Sequence, residues 1–586
     1  MSLPEATPAR AAPVPAVGLR LRRLSPAAVL CALLLAVTAC LVLYPLANLL
    51  YGSFRVSLIS PPTALTLDSY VRVYSDPRTY FIFGVTIVYA LGFTVLAMVV
   101  ALPLAWIAAR TDTPLRKHIP WLVLIPYVIP ASLHSVAWLL LLDPGSGLVN
   151  AAYRAFSGSD ATLFNVYSLA GMIWVSFTIA LPPAFTLLAT GLERMDPTLE
   201  EAASVSGANG LQTLRRVLVP LILPSLLSVF TLLFIVGLEA FDVPAFVGLP
   251  ANIRVLTSEI YYFMSQNVPA QPGRAAAFGF LPLLLAVPLT VYYVRVIVHQ
   301  ERFAVITGKA WAPRVVHLGP FRWVTLAFFL VVYAIVGVLP IVVLVGAAIF
   351  PDYKALASLN LSAASLKNFA LVLDDPVTFR AFRNSIVLAA GGGLVTILLA
   401  FGLSYVLTRT RIKGRALFEF LAFIPFSLPS ILLGVGILFG YVAFPIDIYG
   451  TVWLLGIAYT TKYLPYGLRT TSAALLQIHR DLEEAATVAG ASRLRAARSV
   501  LLPLALSGFV AGWSILAIHN LREFSMSILL YAPGSEVASV LFFSYWEHGR
   551  IGEIGALGVL LIGLSLALLL GANRLRTAGA MRRLEG

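Results

Sequence analysis

Twelve runs of apolar residues, most of them about twenty or more long, punctuate this 586-residue sequence and constrain its fold more than any other feature. They lie near residues 27–51, 81–109, 119–142, 167–190, 218–247, 279–298, 323–350, 384–408, 416–442, 451–472, 501–530 and 553–573. Coiled as an α-helix, such a run matches the hydrocarbon thickness of a bilayer. In lipid a chain must satisfy its own backbone hydrogen bonds, which a helix does. Only 12% of the residues are charged, about half the share of an ordinary soluble domain, so the polar surface cannot cover a soluble globule of this size. The chain reads as an all-α integral membrane protein with the lipid bilayer as its solvent.

The formal net charge is +14, but the basic residues are scattered between apolar runs instead of forming one stripe. That excludes nucleic acid as a partner. Cys31 and Cys40 both fall in the first apolar run, so they build neither a disulfide framework nor a zinc site. Val37-Thr38-Ala39-Cys40 resembles a lipoprotein cleavage box, yet the apolar run continues well past Cys40 and is too long for a signal segment. Lys and Arg accumulate in cytoplasmic loops. With the N-terminus inside, the cytoplasmic segments hold 28 of the 41 basic residues and the external loops 11, leaving Lys462 and Arg522 within helices. Both termini and the linker from Arg295 to Arg322 are then expected in the cytoplasm.

One pattern occurs twice. LEEAASVSGANGLQTLRRVLVPL, from Leu199, and LEEAATVAGASRLRAARSVLLPL, from Leu482, align without a gap and match at 14 of 23 positions. The duplication extends outward: Asp76-Pro77 pairs with Asp375-Pro376, Arg110-Thr111 with Arg409-Thr410, and IPYVIP from Ile125 with IPFSLP from Ile424. The offset falls from 299 at these markers to 283 at the loop, so the first half holds 16 extra residues, placed in the external loop that starts at Asp143. Six helices per half is an even number, which gives both halves one orientation and a pseudo-twofold axis along the membrane normal. The domains are expected at 1–25 (cytoplasmic tail), 26–300 (first repeat, loop 199–221), 301–322 (linker) and 323–586 (second repeat, loop 482–504).

Each loop has its own physical logic. Ala202, Val205 and Ser206, like Ala485, Val488 and Ala489, recur at helical spacing and offer a small, weakly apolar face to a groove. Gly207 and Gly490 supply a left-handed turn into a second short helix, which Pro220 or Pro503 ends before the membrane. Glu201 and Glu484 stand where a basic partner could meet them.

This pattern resembles the EAA loop of permease subunits in bacterial ABC importers. From about residue 27 to 575 the chain is similar to the fused permeases of the ferric-iron importer group, which includes thiamine and aminoethylphosphonate importers. LEAFDVPAFVGLPANIRVLTSEIY from Leu238 and LREFSMSILLYAPGSEVASVLFF from Leu521 add to the likeness. The resemblance implies a type I ABC importer permease fold in the bacterial inner membrane. It further implies an ATPase dimer docked at Glu200, Glu201, Ala202 and Gly207 and at Glu483, Glu484, Ala485 and Gly490, and a periplasmic substrate-binding protein outside. Glu239 departs from the group, which carries a small residue there, and Ala240 stands where its acid does.

Charged groups within membrane helices are costly and mark the bundle interior or a water-filled cavity. Glu239, Asp242, His519, Arg522 and Glu523 are accordingly the translocation-pathway candidates, with Glu239 and Arg522, equivalent in the repeat, placed to face each other across the axis. A structural salt bridge reads equally well. Lys462 is expected to snorkel to an interface, and His134 to be a packed histidine. Gly391-Gly392-Gly393 reads as close helix packing. Gly308-Lys309 lacks the spacing of a phosphate-binding loop, and no zinc-protease or nucleophile-elbow motif occurs. The chain is thus expected to be no enzyme, to need no cofactor or metal, and to import ferric iron by alternating access. Thiamine, 2-aminoethylphosphonate or a polyamine, and an ion-coupled secondary transporter, remain open.

Overall fold

The computed structural model describes residues 26–55, 65–193, 202–203, 205–209, 212, 214–303, 315–350, 361–410, 414–442 and 445–581. Among these residues no β-strand forms, and the only pairing of extended backbone is an isolated bridge, Thr111 to Val316. The first repeat contributes α1 (Pro26–Ser53), α2 (Pro77–Arg110), α3 (Ala131–Leu142), α4 (Leu169–Glu193), α5 (Val219–Glu239) and α6 (Pro272–Phe303). The second contributes α7 (Phe321–Ile349), α8 (Pro376–Arg409), α9 (Ser430–Tyr441), α10 (Val452–Leu476), α11 (Leu502–Arg522) and α12 (Ile551–Met581).

Nine helices among the described residues are long and apolar enough to cross a membrane. The expected third and ninth spans are broken. Ile119–Val128 meets α3 at 93°, and Arg415–Ser427 meets α9 at 109°. Their prolines are the cause: Ile129 and Leu428, each before a proline, are extended at ψ 127° and 125°, because the following ring disfavours helical geometry there. α10, with 25 residues, has crossing length but carries Lys462 and Arg469 and is not among the nine.

The repeats interlock. Within each, the second helix packs along the fourth, α2 on α4 and α8 on α10. Between them the first helices are exchanged: α1 lies on α9, and α7 lies on α3. Gly436 makes one exchange possible, since a Cβ there would sit 2.6 Å from the Pro45 carbonyl oxygen. Tyr44 of α1 then donates its hydroxyl to the Gly440 carbonyl at 2.6 Å. Such small-residue contacts are how apolar helices associate where lipid removes the hydrophobic drive.

The repeats are also stitched at the loop end of α2. Val316 N–H donates to the Arg110 carbonyl (2.7 Å), Leu318 N–H to Asp112 Oδ1 (2.9 Å), and the Thr113 and Thr325 hydroxyls meet at 2.7 Å. The Leu318 N–H holds the Asp112 carboxyl below its usual range.

The short helix after each Gly turn does not stop at its proline. Wide five-residue turns, Leu214–Leu218 and Ala497–Leu501, lead straight into α5 and α11, so Pro220 and Pro503 stand in the first turns of the membrane helices. Inside a continuous helix a proline removes one backbone hydrogen bond and crowds the carbonyl four residues back, and the wide turn just before each proline accommodates both.

Candidate translocation pathway and coupling loops

α5 and α11 both end abruptly, at Glu239 and Arg522, before the chain resumes in short helical turns. The freed carbonyls are recaptured by hydroxyls at matching places. Thr257 donates to the Ala240 carbonyl at 2.5 Å and Ser539 to the Glu523 carbonyl at 2.6 Å. These breaks deliver the pathway candidates to the contact between the repeats.

There the structure pairs them differently from the symmetry expectation. Glu239 does not face Arg522. Its Oε2 accepts from Lys462 Nζ at 2.8 Å, across the repeat boundary. Lys462 is not at an interface with water either; it is buried and donates to the Leu428 carbonyl (2.6 Å) and the Pro425 carbonyl (3.3 Å) as well. The physical reason lies in the broken span before α9: its extended Leu428 leaves carbonyls without helical partners, and an ammonium with three donors satisfies them together with the carboxylate. Arg522 does the same for the other break. Its guanidinium donates to the Tyr127 carbonyl at 2.9 Å and lies 4.9 Å from the centre of the Tyr127 ring. Both repeats therefore close a proline break with a cation from the second repeat.

Glu523 accepts from the Tyr463 hydroxyl and, at 3.0 Å, from Met526 N–H. Asp242 follows Phe241 in the break after α5. His519 stacks between Tyr463 (5.1 Å) and Tyr466 (4.9 Å). Glu239 Oε1 is buried and has no hydrogen-bond partner. His134 is buried, its Nε2 3.1 Å from the Thr178 hydroxyl that also accepts from Trp138.

Next to these polar groups, where the ends of α5 and α11 meet, aromatic rings from both repeats pack together. Phe241 and Phe524, equivalent in the two repeats, stack at 5.4 Å and are fully buried. Phe246, Phe543 and Trp546 pack around them at 5.2–5.8 Å. The sequence did not single out this cluster, although Phe241 and Phe524 are aligned phenylalanines beside the charged pair.

Of the coupling residues, Glu200 and Glu201 lie outside the described residues. Glu483, Glu484 and Ala485 fall in a short helix, Arg480–Val488. Glu483 accepts from the Tyr405 hydroxyl at 2.8 Å, while Glu484 and Ala485 are exposed. Gly207 and Gly490 have φ of 81° and 87°, the left-handed conformation that favours glycine. Ala202 is exposed, and Val205 and Val488, at matching positions, are each 90% exposed.

Two further residues stand beside these loops and were visible in the sequence only as repeat markers. Arg110, at the end of α2, is buried and donates twice to the Leu192 carbonyl, at 2.7 and 3.2 Å. Arg409, at the end of α8, donates to the Leu475 and Ile478 carbonyls, both at 2.6 Å. Each arginine ties the second helix of its repeat to the last turn before the coupling loop.

Residues 101–303 and 392–577 match the family described as binding-protein-dependent transport system inner membrane component. The ferric transport system permease protein FbpB of Actinobacillus pleuropneumoniae is 23% identical over 76% of this chain and 64% of its own. An FbpB protein of Haemophilus influenzae is 24% identical over 65% and 59%. PhnV of Salmonella paratyphi A, whose name places it in 2-aminoethylphosphonate transport, is 24% identical over 36% of this chain and 80% of its own. The chain thus spans about six tenths of the length of the ferric permeases it matches.

Proposed function

The chain belongs to the family of binding-protein-dependent transport system inner membrane components, and from that premise we propose that it is the fused permease of an ATP-driven importer. Both family matches, one per repeat, fit a multi-pass inner-membrane protein in which one chain supplies what two permease subunits otherwise would. ATP hydrolysis then belongs to a separate ATPase dimer, docked on the two coupling loops with the termini on the same, cytoplasmic, side. The observation that carries this reading is the matched pair of exposed valines, Val205 and Val488, each beside a left-handed glycine. An apolar side chain so exposed at two symmetry-related places calls for a covering partner with twofold symmetry.

In that reading the aromatic plug at Phe241 and Phe524 is the closed outer barrier, and the polar groups on its inner side line the path. Closure of the ATPases would be felt first at Arg110 and Arg409, then along α2, α4, α8 and α10, to part the rings. The proposed cargo is ferric iron, supported by the likeness to FbpB proteins. Thiamine, an aminoethylphosphonate and a polyamine are the other candidates.

The test of the transporter reading is the double charge reversal E201K/E484K, which should abolish assembly with the ATPase while membrane insertion persists. Unchanged ATPase binding would sink it. For the cargo, equilibrium binding by the partner periplasmic protein decides: retention of thiamine or a phosphonate without affinity for ferric iron rejects iron and leaves the transporter standing.

A further inference from the structure

The repeats differ in chemistry at one corner, at the end of α2 and α8 remote from Arg110 and Arg409. In the second repeat that corner is filled. The Tyr545 hydroxyl donates to Asp375 Oδ2 at 2.9 Å and meets the Thr378 hydroxyl at 2.7 Å, and Arg550, stacked on the Tyr545 ring at 4.3 Å, pairs with Glu553 at 3.1 Å.

The first repeat keeps the frame and loses the filling. Asp76 and Thr79 correspond to Asp375 and Thr378, but Phe263 stands in place of Tyr545. The correspondence is fixed by hydrogen bonds: Leu256 N–H donates to Thr86 Oγ1 as Ala538 N–H donates to Ser385 Oγ. Without the phenol, the Thr79 hydroxyl turns to the Val73 carbonyl at 2.6 Å. Arg274 stands in place of Glu553, since the preceding glycines, Gly273 and Gly552, pack on the matched residues Ser69 and Asn368. Arg72 and Arg78 replace Leu371 and Val377. What results is a cavity of about 170 Å³ lined by these three arginines with Asp76, Glu259 and Asn267 among their neighbours.

Both acids in the lining are already committed. Glu259, buried, pairs with Arg254 at 3.0 Å, whose guanidinium lies 3.6 Å from the Tyr262 ring centre. Asp76 Oδ1 caps α2 by accepting from Arg78 N–H at 2.9 Å. Arg72 is shared with Asp68 at 2.6 Å. Among the described residues neither Arg78 nor Arg274 pairs with a carboxylate, and the one acid left to offset them, Asp76, is held by a backbone N–H, so the cavity keeps a net positive charge and offers guanidinium forks, the geometry that grips a carboxylate in two places.

We propose that this cavity receives a carboxylate side chain of the substrate-binding protein as that protein docks on the outer face. The inference rests on the importer reading. Three features select this occupant. The volume suits one side chain. The cavity faces the end opposite the coupling loops, where a delivering protein must arrive. It also exists on one repeat alone, and an asymmetric partner meeting two pseudo-equivalent halves needs one asymmetric contact to fix its orientation.

The test uses the full chain, assembled in lipid nanodiscs with its ATPase and binding protein, and follows docking of the binding protein by equilibrium titration. R78E/R274E should weaken docking at least tenfold, with the ATPase still co-purifying, and docking of the unaltered chain should weaken steeply with salt. R78Q/R274Q, which removes charge without adding repulsion, should show a smaller loss and guards against misfolding of the reversed variant. Reversal of one acid on the binding protein to Arg should restore docking to R78E/R274E. Docking that both variants leave unchanged overturns the proposal and spares the importer reading. Acetate binding that is lost in R78Q/R274Q while docking is unchanged makes the cavity a site for a free anion, and overturns it equally. Failure of the unaltered chain to hold either partner would instead overturn the importer reading.

Discussion

Lys462 gives up its hydration for three acceptors, only one of them charged: Glu239 Oε2, the Leu428 carbonyl and the Pro425 carbonyl. Removing one partner of such a pair strands the other, a loss of about 3–5 kcal/mol, whereas replacing both is far milder. Lys462→Met should therefore lower the unfolding midpoint in detergent sharply, and E239Q/K462M should recover most of it. A single variant as stable as the unaltered chain would show that the pair is not closed. The charges were legible in the sequence as costly groups in apolar runs, but their pairing was not. Symmetry puts Glu239 opposite Arg522, and that expectation fails because it treats the helices as unbroken. The prolines of IPYVIP and IPFSLP bend the backbone and expose carbonyls, and these capture Arg522 and Lys462 more directly than a distant carboxylate does.

At the scale of elements, the arginine clamps carry the greatest consequence. Arg409 draws the end of α8 onto the last turn of α10, and Arg480 of the coupling helix returns a bond to the Thr408 carbonyl at 3.0 Å. Arg409→Gln, which shortens the side chain and removes the charge, should leave the ATPase docked and hydrolysing ATP while transport falls severalfold. Loss of docking itself would show that the arginine shapes the loop and does not merely transmit its motion. A second element-scale test concerns the stitch at Asp112. Its carboxyl titrates below the usual range, so its contribution is present at neutral pH and is lost as pH falls through that lowered value, below about 4. Protease cleavage near Val316 should accelerate only in that acid window. Positions of the twelve helices and the glycine turns were legible because apolar runs and left-handed glycines are local signals. The proline breaks, the continuous entry into α5 and α11, and the clamps depend on carbonyls presented by other elements, which a linear reading does not contain.

For the whole molecule, the interlocked first helices make the two repeats one object: α1 rests on α9 and α7 on α3, so neither half can form its proper surface alone. Both halves must insert with the same orientation, and the basic residues then decide which end faces the cytoplasm. The proposed orientation would place the first repeat's extra segment outside; it forms the helix Leu148–Ser157 and a turn held by Asn150, whose amide donates to the Asp143 and Phe164 carbonyls at 2.9 and 2.8 Å. Ser159 lies just beyond that helix and is exposed. A cysteine introduced there, Ser159→Cys, with Cys31 and Cys40 replaced by Ser, should react with a membrane-impermeant maleimide added to intact cells whose outer membrane has been made permeable. A cysteine at the exposed Glu484 should react only after the inner membrane is opened. The opposite pattern would invert the topology, put the arginine cavity on the cytoplasmic side, and remove the basis for a binding protein meeting it.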